Sequence, residues 1–448
     1  MTGTDWSALQ DEATHILSDL VRMNTVNPPG QELACAQYLA GILSREGLQP
    51  VVVESAAGRG SVVCRVKGGG NQKPLILLSH LDVVAVEPDK WLHDPFGGEV
   101  IDGYVWGRGT LDCKGLTAIE LMALLALVRQ GVPFRRDVIF AATADEETGG
   151  AMGAGWLVAN RRELMDGEWC INEGGGEAYT VGEKTLYTCE TAEKGTARFM
   201  VTAKGPAGHG SIPREDNAVI LLSKAMARLG DAHLPLHRTA TMDSLLTIMG
   251  SVMQPPLLLE EFLKVSDDRE ALRRVLPRAS MANMIYAMLH NTLTPTMLKA
   301  GERINVIPSA AEGWVDGRIL PGQDRDSFLK EIKDALGDLP VEVNWVGGAK
   351  SPGALESPSE GALFDAIREV MAQHAPDGLL VPFMLTGGTD AKHLEPAGVR
   401  VYGFWPMLED LNAPSIELVH NHNERISVKN LGFGSQVLYD IIRRFCVD

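Results

Sequence analysis

The sequence feature that most constrains the fold is a pair of short apolar runs without alternation, LILLS at 75–79 and VIFAATA at 138–144. Strands that are apolar on both faces lie inside a parallel sheet that helices cover on both sides. Helical spacing predicts such helices at 6–22, 31–46, 114–130 and 153–163, and a further short strand at 169–171. We therefore expect an α/β layered domain.

The pattern changes near residue 191. A strand (ARFMVTAKG), a helix at 216–229, two strands within INVIPSAAEGWVDGRIL, a helix (DSFLKEIKDALG) and a strand (VEVNWV) follow in order. Strand-helix-strand-strand-helix-strand is the order of a ferredoxin-like unit. A mostly helical stretch at 231–300 interrupts it. After 351 the α/β character returns, with a helix at 360–374, the strand GLLVPFML and a helix at 430–445. We predict an α/β/α domain formed by 1–190 and 351–448, with an inserted α+β domain at 191–350.

Composition excludes some partners. The 448 residues include 58 acidic and 41 basic side chains, a formal net charge of −17 that repels nucleic acid and anionic lipid. The N-terminus lacks a basic stretch followed by an apolar run, and the most apolar segment, LTAIELMALLALV, is short for a membrane span and contains Glu120. The six cysteines form no CxxC pair. We expect a cytoplasmic chain with reduced thiols and neither a nucleic-acid nor a membrane partner.

Acidic and histidine side chains follow the buried strands. His80 and Asp82 come after LILLS, Asp145, Glu146 and Glu147 after VIFAATA, and Glu173 after the strand at 169–171. Ligands in open α/β sheets bind outside the carboxyl ends of the strands, so these groups should converge. The Gly-rich segment GRGTLDCKG adds Asp112, and VHNHNERI adds His420 and His422.

Each of these short patterns has an ordinary explanation as a solvated loop, a local hydrogen-bonded pair or a turn. Acids directly after several buried strands repel one another unless cations offset the charge. Imidazole with carboxylate is the ligand set of zinc and related divalent metals. Two divalent ions balance three ligating carboxylates and one bridging hydroxide, which leaves Glu146 free to act as a base.

Eight motifs in order carry a family resemblance: SHLDVV, GRGTLDCKG, DEETGG, INEGGG, GPAGHGSIP, NVIPS, DGRILPG and GGTD. The chain resembles the family of carboxypeptidases, aminoacylases, dipeptidases, acetylornithine deacetylases and succinyl-diaminopimelate desuccinylases over nearly its whole length. The resemblance implies a zinc-peptidase-like catalytic domain with an inserted lid that dimerises. It also implies that His80 and Glu173 hold one metal, that Glu147 and His420 hold the other, and that Asp112 bridges them.

The resemblance assigns supporting roles too. Asp82 orients the His80 ring, Glu146 is the general base and later the acid, and the peptide between Asp112 and Cys113 is cis. A histidine four residues before a glutamate is the family spacing, so Glu424 selects His420 over His422.

Residues of the inserted domain complete the expected site. The motif GPAGHGSIP makes His209 the donor to the oxyanion, acting in the partner subunit, although an isolated histidine there would be a surface residue. Substrate carboxylate recognition is assigned to four residues: Arg318, Asn305, Gly388 and Thr389. The planar fork of Arg318 matches a carboxylate, and a salt bridge within the lid is its alternative.

These assignments predict a two-metal hydrolase of small peptides or N-acyl amino acids that acts as a homodimer. Two ions, zinc first with cobalt or manganese as alternatives, lower the pKa of a shared water and polarise the scissile carbonyl. The enzyme cleaves an amide beside a free carboxylate, as a peptidase, dipeptidase or carboxypeptidase-like enzyme. The alternatives are an N-acyl-amino-acid deacylase and, more remotely, a catalytically silent metal-binding protein on the same scaffold.

Several positions stay open at this stage. We expect the Cys113 thiol to point away from the metals, because the ligand set is already complete. Lys114 has no assigned role, and His393 either lines the pocket or caps local structure. The Leu- and Met-rich segments of 231–300 form an acyl pocket or packed helices.

Overall fold

A computed structural model describes residues 4–276, 278–347 and 353–447. The chain separates into two compact units. The first unit contains the chain up to Thr191, Ser357–Phe383 and the chain from Thr389 onward; the second contains Ala192–Glu356 and Met384–Gly388. The boundary predicted at 350/351 lies outside the described residues.

The described residues form fourteen α-helices: α1 (Trp6–Arg22), α2 (Leu33–Arg45), α3 (Lys114–Arg129), α4 (Ala154–Asn160), α5 (Ala218–Gly230), α6 (Ala240–Val252), α7 (Leu259–Ser266), α8 (Arg269–Val275), α9 (Ala279–Leu289), α10 (Arg325–Leu336), α11 (Ala362–His374), α12 (Ala391–Leu394), α13 (Ser415–Leu418) and α14 (Val428–Cys446). None of the described helices combines the length and apolarity that a membrane crossing requires.

Twenty strands accompany them in the described ranges: β1 (Val51–Ala56), β2 (Arg59–Val66), β3 (Gln72–His80), β4 (Val100–Ile101), β5 (Tyr104–Trp106), β6 (Arg136–Thr143), β7 (Trp169–Asn172), β8 (Ala178–Val181), β9 (Lys184–Glu193), β10 (Gly195–Thr196), β11 (Phe199–Lys204), β12 (Gly208–His209), β13 (Thr292–Ala300), β14 (Val306–Ile307), β15 (Ala310–Ile319), β16 (Val341–Trp345), β17 (Leu355–Glu356), β18 (Gly378–Leu385), β19 (Arg400–Gly403) and β20 (Arg425–Ser427).

The large sheet has the strand order β1-β2-β6-β3-β7-β19-β9-β17, with β8 and β18 also paired to β9. Its centre is parallel: β3 pairs with β6 and β7, and β19 pairs with β7. Helices α1, α3 and α14 pack against one another, and their apolar residues share one core with β3 and β6. The α/β class predicted from the two apolar runs is confirmed, because both runs form the central buried strands.

The second unit contains an antiparallel sheet of the ferredoxin-like order β13-β15-β11-β16. Helices α5 and α10 pack on it, and α10 starts at a capping box between Asp324 and Ser327. The two strands predicted within INVIPSAAEGWVDGRIL are present as β14 and β15, but β14 is not the second strand of this motif. That strand is β13, whereas β14 pairs with the short β12. Pro295 concealed β13, because proline is tolerated only where a strand lies at a sheet edge or bulge, and the β13 register shifts at Pro295.

The interrupting stretch contains helices α6 to α9, as predicted, and ends in β13. Apolar side chains of these helices, such as Met242, Leu246, Phe262 and Met288, are buried. This burial favours packed helices over an open acyl pocket as the reason for their Leu- and Met-rich composition.

Candidate metal centre

Three neighbouring parallel strands bring the predicted groups to one edge of the large sheet. His80 ends β3 and is in register with Thr143 of β6, while Leu77 of β3 is in register with Ile171 of β7. The acidic segment after β6 and Glu173 after β7 therefore emerge beside His80, at the carboxyl ends of the strands.

Asp112 lies between two groups of side chains. Its Oδ1 is 2.9 Å from His80 Nε2, and its Oδ2 is 2.9 Å from His420 Nε2. Glu173 Oε2 lies 3.5 Å from His80 Nε2, and Glu147 Oε2 lies 3.2 Å from His420 Nε2. The structure thus forms two ligand groups that share one carboxylate, which is the arrangement expected of a pair of bridged metal ions.

The chemistry of these donors fits cations. Burial, together with the charge of Asp112, raises the pKa of Glu147 to about 7 and that of Glu173 to about 8. Hydrogen bonds to Asp112 and Glu147 raise the pKa of His420 to about 10. The raised pKa values of the two carboxyl groups show that the cluster contains more buried acid than its imidazoles offset, and divalent cations would supply the missing positive charge.

The histidine of the C-terminal segment is settled by distance. His420, at φ 60°, reaches Asp112 and Glu147, whereas His422 Nε2 lies 3.0 Å from Glu87 Oε2, outside the cluster. The buried Glu424 has a further function that the sequence analysis missed. Its carboxylate accepts the amide of Leu111 at 2.7 Å and an Arg108 hydrogen bond at 2.6 Å, and so holds the loop that carries Asp112.

Asp82 supports this edge differently from the expectation. His80 Nδ1 is 2.9 Å from the main-chain oxygen of Asp82 and 3.6 Å from its carboxylate, so the ring is oriented mainly by the carbonyl. The carboxylate instead accepts the amides of Glu146 and Glu147, at 3.0 and 3.1 Å, and Asn27 Nδ2 at 2.8 Å. Asp82 therefore fixes the turn after β6 as well as the strand end after β3.

Glu146 lies in that turn and belongs to neither ligand group. Its Oε1 is 3.2 Å from Lys392 Nζ, and burial raises its pKa above the ordinary value. Asp145, which precedes it, adopts φ 76° and anchors the turn through a 2.9 Å ion pair with Arg59. Lys392 and Arg59 carried no local sequence signal, because both approach from segments remote in the chain.

Cys113 was expected to point away from the metals, and this expectation was wrong. Its Sγ lies within 4.8 Å of the ligand atoms of His80, Asp112 and Glu173. Sγ accepts the His80 amide at 3.1 Å, and burial raises the pKa of the thiol well above its ordinary value, so the thiol supports the main chain of His80. The Asp112–Cys113 peptide is cis, as the resemblance implied.

The two positions left open have structural contacts. Lys114 is buried, and its Nζ donates to the main-chain oxygens of Leu20 and Met23, both at 2.8 Å, which ties α3 to the end of α1. His393 Nε2 lies 2.9 Å from the Gly149 oxygen, in the loop after Glu147.

The three glycines after Glu173 permit close chain approach, since a Cβ on Gly176 would lie 2.0 Å from the Trp405 carbonyl oxygen.

His209 and Asn305 lie together in the second unit. His209 is exposed in β12, opposite Val306 of β14, and the main-chain oxygen of Asn305 accepts the Gly210 amide at 2.8 Å. The Ser211 amide donates to His209 Nδ1 at 3.2 Å, which leaves the ring proton on Nε2 as a donor.

The other predicted substrate contacts have partners of their own. Arg318 Nε lies 2.6 Å from Asp316 Oδ1, the salt bridge that was its alternative interpretation. Thr389 is buried in the first unit, where its hydroxyl accepts from Asn172 Nδ2 at 2.9 Å. Gly388 belongs to the second unit.

A two-group centre with an adjacent carboxylate, at the edge of an α/β sheet, is an arrangement typical of dinuclear metallohydrolases. The sequence pattern of peptidase family M20/M25/M40 matches residues 76–444, and the chain belongs to this family. The family resemblance stated from the eight motifs is therefore confirmed.

Relatives and solved structures agree with this placement. The chain is 27% identical to "Probable carboxypeptidase S-like 2" of Dictyostelium discoideum, over 80% of this chain and 69% of the relative. It is 30% identical to the Bos taurus "N-fatty-acyl-amino acid synthase/hydrolase PM20D1", over 83% of this chain and 74% of the relative. The M20 metallo-carboxypeptidase Sso-CP2 of Sulfolobus solfataricus has the same fold, with a TM-score of 0.71 at 18% identity, covering 97% of this chain and 99% of that one.

Proposed function

We propose that the protein hydrolyses an amide bond whose amine-side product carries a free carboxylate, as a peptidase or carboxypeptidase-like enzyme. The observation that carries the proposal is the shared carboxylate of Asp112 between two ligand groups, with Glu146 buried beside them and bound to neither. Amide hydrolysis needs an activated water and a proton for the leaving nitrogen. Two bound ions would activate the water, and Glu146 would take its proton and pass it to the nitrogen.

His80 and Glu173 would hold one ion, and Glu147 and His420 would hold the other. Asp112 would be a ligand of both ions. Zinc suits this donor set, and cobalt and manganese are the alternatives. When bound, the two ions polarise the scissile carbonyl and make an attacking water more acidic.

Glu146 accepts the proton of the water and later donates it to the leaving nitrogen. Its raised pKa suits both steps, because a more basic carboxylate accepts the proton more readily and still releases it to an amine. Lys392 holds the carboxylate at 3.2 Å and limits its basicity. His209 donates from Nε2 to the developing oxyanion.

A paired substrate panel tests the requirement for a free carboxylate. Each dipeptide is compared with its C-terminal amide, which keeps the scissile bond and removes the charge. We propose that Arg318 binds this carboxylate with Asn305, Gly388 and Thr389, exchanging the Asp316 partner for the substrate. The dipeptide should be preferred by wild type, and Arg318→Met should lose the preference through KM. Equal turnover of the two substrates by wild type would contradict the proposal.

A second candidate function is the hydrolysis of N-acyl amino acids. It is favoured by the 30% identity to the bovine relative, whose name describes an N-fatty-acyl-amino acid synthase/hydrolase. The same panel discriminates the two when it includes N-acetyl and long-chain N-acyl derivatives of the amino acid at the C-terminal position of each dipeptide. Higher kcat/KM for the acyl series than for the dipeptides would replace the peptidase assignment.

We further propose that the protein is a homodimer in which His209 acts in the active site of the partner subunit. We also propose that it is located in the cytoplasm. The edge strand β13 supports the dimer, since β15 is its only partner among the described strands and since it exposes Met297 and Leu298. Six buried free thiols suit a reducing compartment.

Subunit mixing tests the role of His209 in the partner. Glu146→Gln and His209→Ala subunits, each nearly inactive, should recover activity together, to about a quarter of wild type under random exchange. Exchange verified without recovery would place His209 in its own chain or outside catalysis.

A further inference from the structure

A second cluster of ligand-type side chains lies in the second unit, within the stretch that interrupts the ferredoxin-like motif. His233 follows α5, Asp267 ends α7 and His290 ends α9. Asp267 Oδ1 is 3.5 Å from His290 Nε2 and 3.7 Å from His233 Nε2. The three ligand atoms lie within 4.8 Å of one another, although the residues are far apart in sequence.

Tyr286 orients both rings of this cluster. Its main-chain oxygen is 2.8 Å from His290 Nδ1, and its hydroxyl is 2.8 Å from His233 Nδ1. The phenol ring also stacks on His290, with centroids 4.0 Å apart. Metal-binding histidines commonly have the distal nitrogen held in this way by a carbonyl or another polar group, which fixes the ring direction and the tautomer.

The inner histidine has an unsatisfied atom directed at the acid. Because His290 Nδ1 must donate to a carbonyl oxygen, Nε2 carries a lone pair. His290 is fully buried, and its Nε2 has no hydrogen-bond partner among the described residues. A lone pair that faces a carboxylate oxygen at 3.5 Å is repelled by it, and a cation between the two atoms would remove that repulsion.

We propose that His233, Asp267 and His290 bind one divalent transition-metal ion, with zinc as the first choice. Two imidazole nitrogens and one carboxylate oxygen form a tetrahedral zinc site with water as the fourth ligand. Zinc bonds of about 2.0–2.1 Å place tetrahedral ligand atoms roughly 3.3–3.4 Å apart, close to the two separations from Asp267. His233 and Asp267 are exposed, so an ion enters from solvent with little rearrangement.

The ion would add a direct link between three segments that already pack together. It would fix the ends of α7 and α9 to the loop after α5, so its role is structural, and zinc binding would add to the stability of this unit. The site uses no residue of the first centre and does not depend on the proposed hydrolytic function.

Metal counting tests the site directly. Wild type and variants are dialysed against buffered zinc at low-micromolar free concentration, and bound zinc per chain is measured by mass spectrometry. We expect each of Asp267→Asn and His233→Gln to bind one ion fewer than wild type, whatever number the first centre holds. Both altered side chains are exposed, so the variants should fold, which circular dichroism verifies. Asp338→Asn, at a side chain 95% exposed in the same unit, is the matched control and should bind as wild type does.

A second measurement reports ligand identity. With cobalt, the visible spectrum of wild type minus that of Asp267→Asn should show a tetrahedral nitrogen and oxygen site. Tyr286→Phe should keep the ion but bind zinc about 10- to 100-fold more weakly, because His233 loses its support. Equal zinc content in wild type, Asp267→Asn and His233→Gln would overturn the proposal. The proposal would also be overturned if zinc raised the thermal unfolding midpoint equally in wild type, Asp267→Asn and His233→Gln. Zinc would then not bind at the cluster, and a proton would lie between His290 and Asp267 instead.

Discussion

The two ligand clusters of this protein are built on different structural elements. The first centre follows three parallel strands in register, and it combines three carboxylates with two histidines around Asp112. The second cluster joins the ends of helices that have no register with one another, and it has one carboxylate, Asp267, with two histidines. The difference concerns charge as well as position, because only the first is strongly acidic.

That difference accounts for what each centre can do. Excess acid at a sheet edge would bind two ions and leave Glu146 available for the proton transfer that we propose for it. A cluster with one acid and two imidazoles offers three ligands for a single ion and keeps no base in reserve, which suits a structural site. Four experiments sharpen or break this contrast.

The largest effect should separate two adjacent glutamates of the first centre. Glu146→Gln removes the base and should lower kcat by about 10²–10⁴ while both ions of that centre remain. Glu147→Gln removes a ligand and should lose metal together with activity. Asp267→Asn, in the second cluster, should leave kcat unchanged. Metal content and kcat are measured in parallel; equal metal loss in both glutamate variants would show that the ligand and base roles are misassigned.

The next effect concerns the carboxylate beneath Asp112. Glu424→Gln leaves Arg108 buried without its ion-pair partner, a change that costs about 3–5 kcal/mol in buried pairs. Denaturant unfolding should show the loss, together with weaker metal binding at the first centre. The exposed Glu99→Gln serves as the control. A stability equal to that of the control would mean that the loop is held by other contacts.

The supports of the two clusters should differ in importance. Asp82→Asn removes the charge that receives the amides of Glu146 and Glu147, and it should weaken metal binding at the first centre by about 10- to 100-fold. Tyr286→Phe should fall at the lower end of that range at the second, because the main-chain oxygen still holds His290. Competition with a chelator gives both affinities, and the reverse order would contradict the comparison.

The smallest effect concerns Glu120, a buried acid that we expect to keep its proton, in contrast to the acids of the first centre that bind cations. Burial raises the pKa of Glu120, in α3, well above its ordinary value. Between pH 4.5 and the pKa of Glu120 in the folded protein, the unfolded chain releases this proton and the native protein retains it. The free energy of unfolding is therefore unaffected by the ionisation of Glu120 below pH 4.5. Above pH 4.5 it declines as pH rises, by at most about 1.4 kcal/mol per pH unit, up to the pKa of Glu120 in the folded protein.

Glu120→Gln should remove that decline, so the variant gains stability relative to wild type as pH increases. Thermal unfolding at several pH values measures it, with Glu99→Gln as the exposed control. If the difference in stability between wild type and Glu120→Gln stayed constant with pH, Glu120 would ionise in the native protein as it does in the unfolded chain.

The sequence by itself determined the α/β class and the groups that follow the central strands. Apolar runs without alternation require burial on both faces, and strand ends in a parallel sheet converge whatever the loops do. His80, Glu147 and Glu173 were found for this reason. Asp112 was found in the Gly-rich segment GRGTLDCKG, and the family spacing to Glu424 selected His420. Their roles in catalysis remain predictions.

The tertiary structure decided everything that depends on chain segments meeting without register. Local patterns contain no distance between remote segments, so the Lys392 contact with Glu146 was not visible in sequence. The contact of the Cys113 thiol with His80 depends on how the Gly-rich loop folds back under β3. Strand β13 was concealed by a proline that only an edge position permits. Likewise, His233, Asp267 and His290 became one site only through helix packing, because helix ends are placed by the side chains that pack between them.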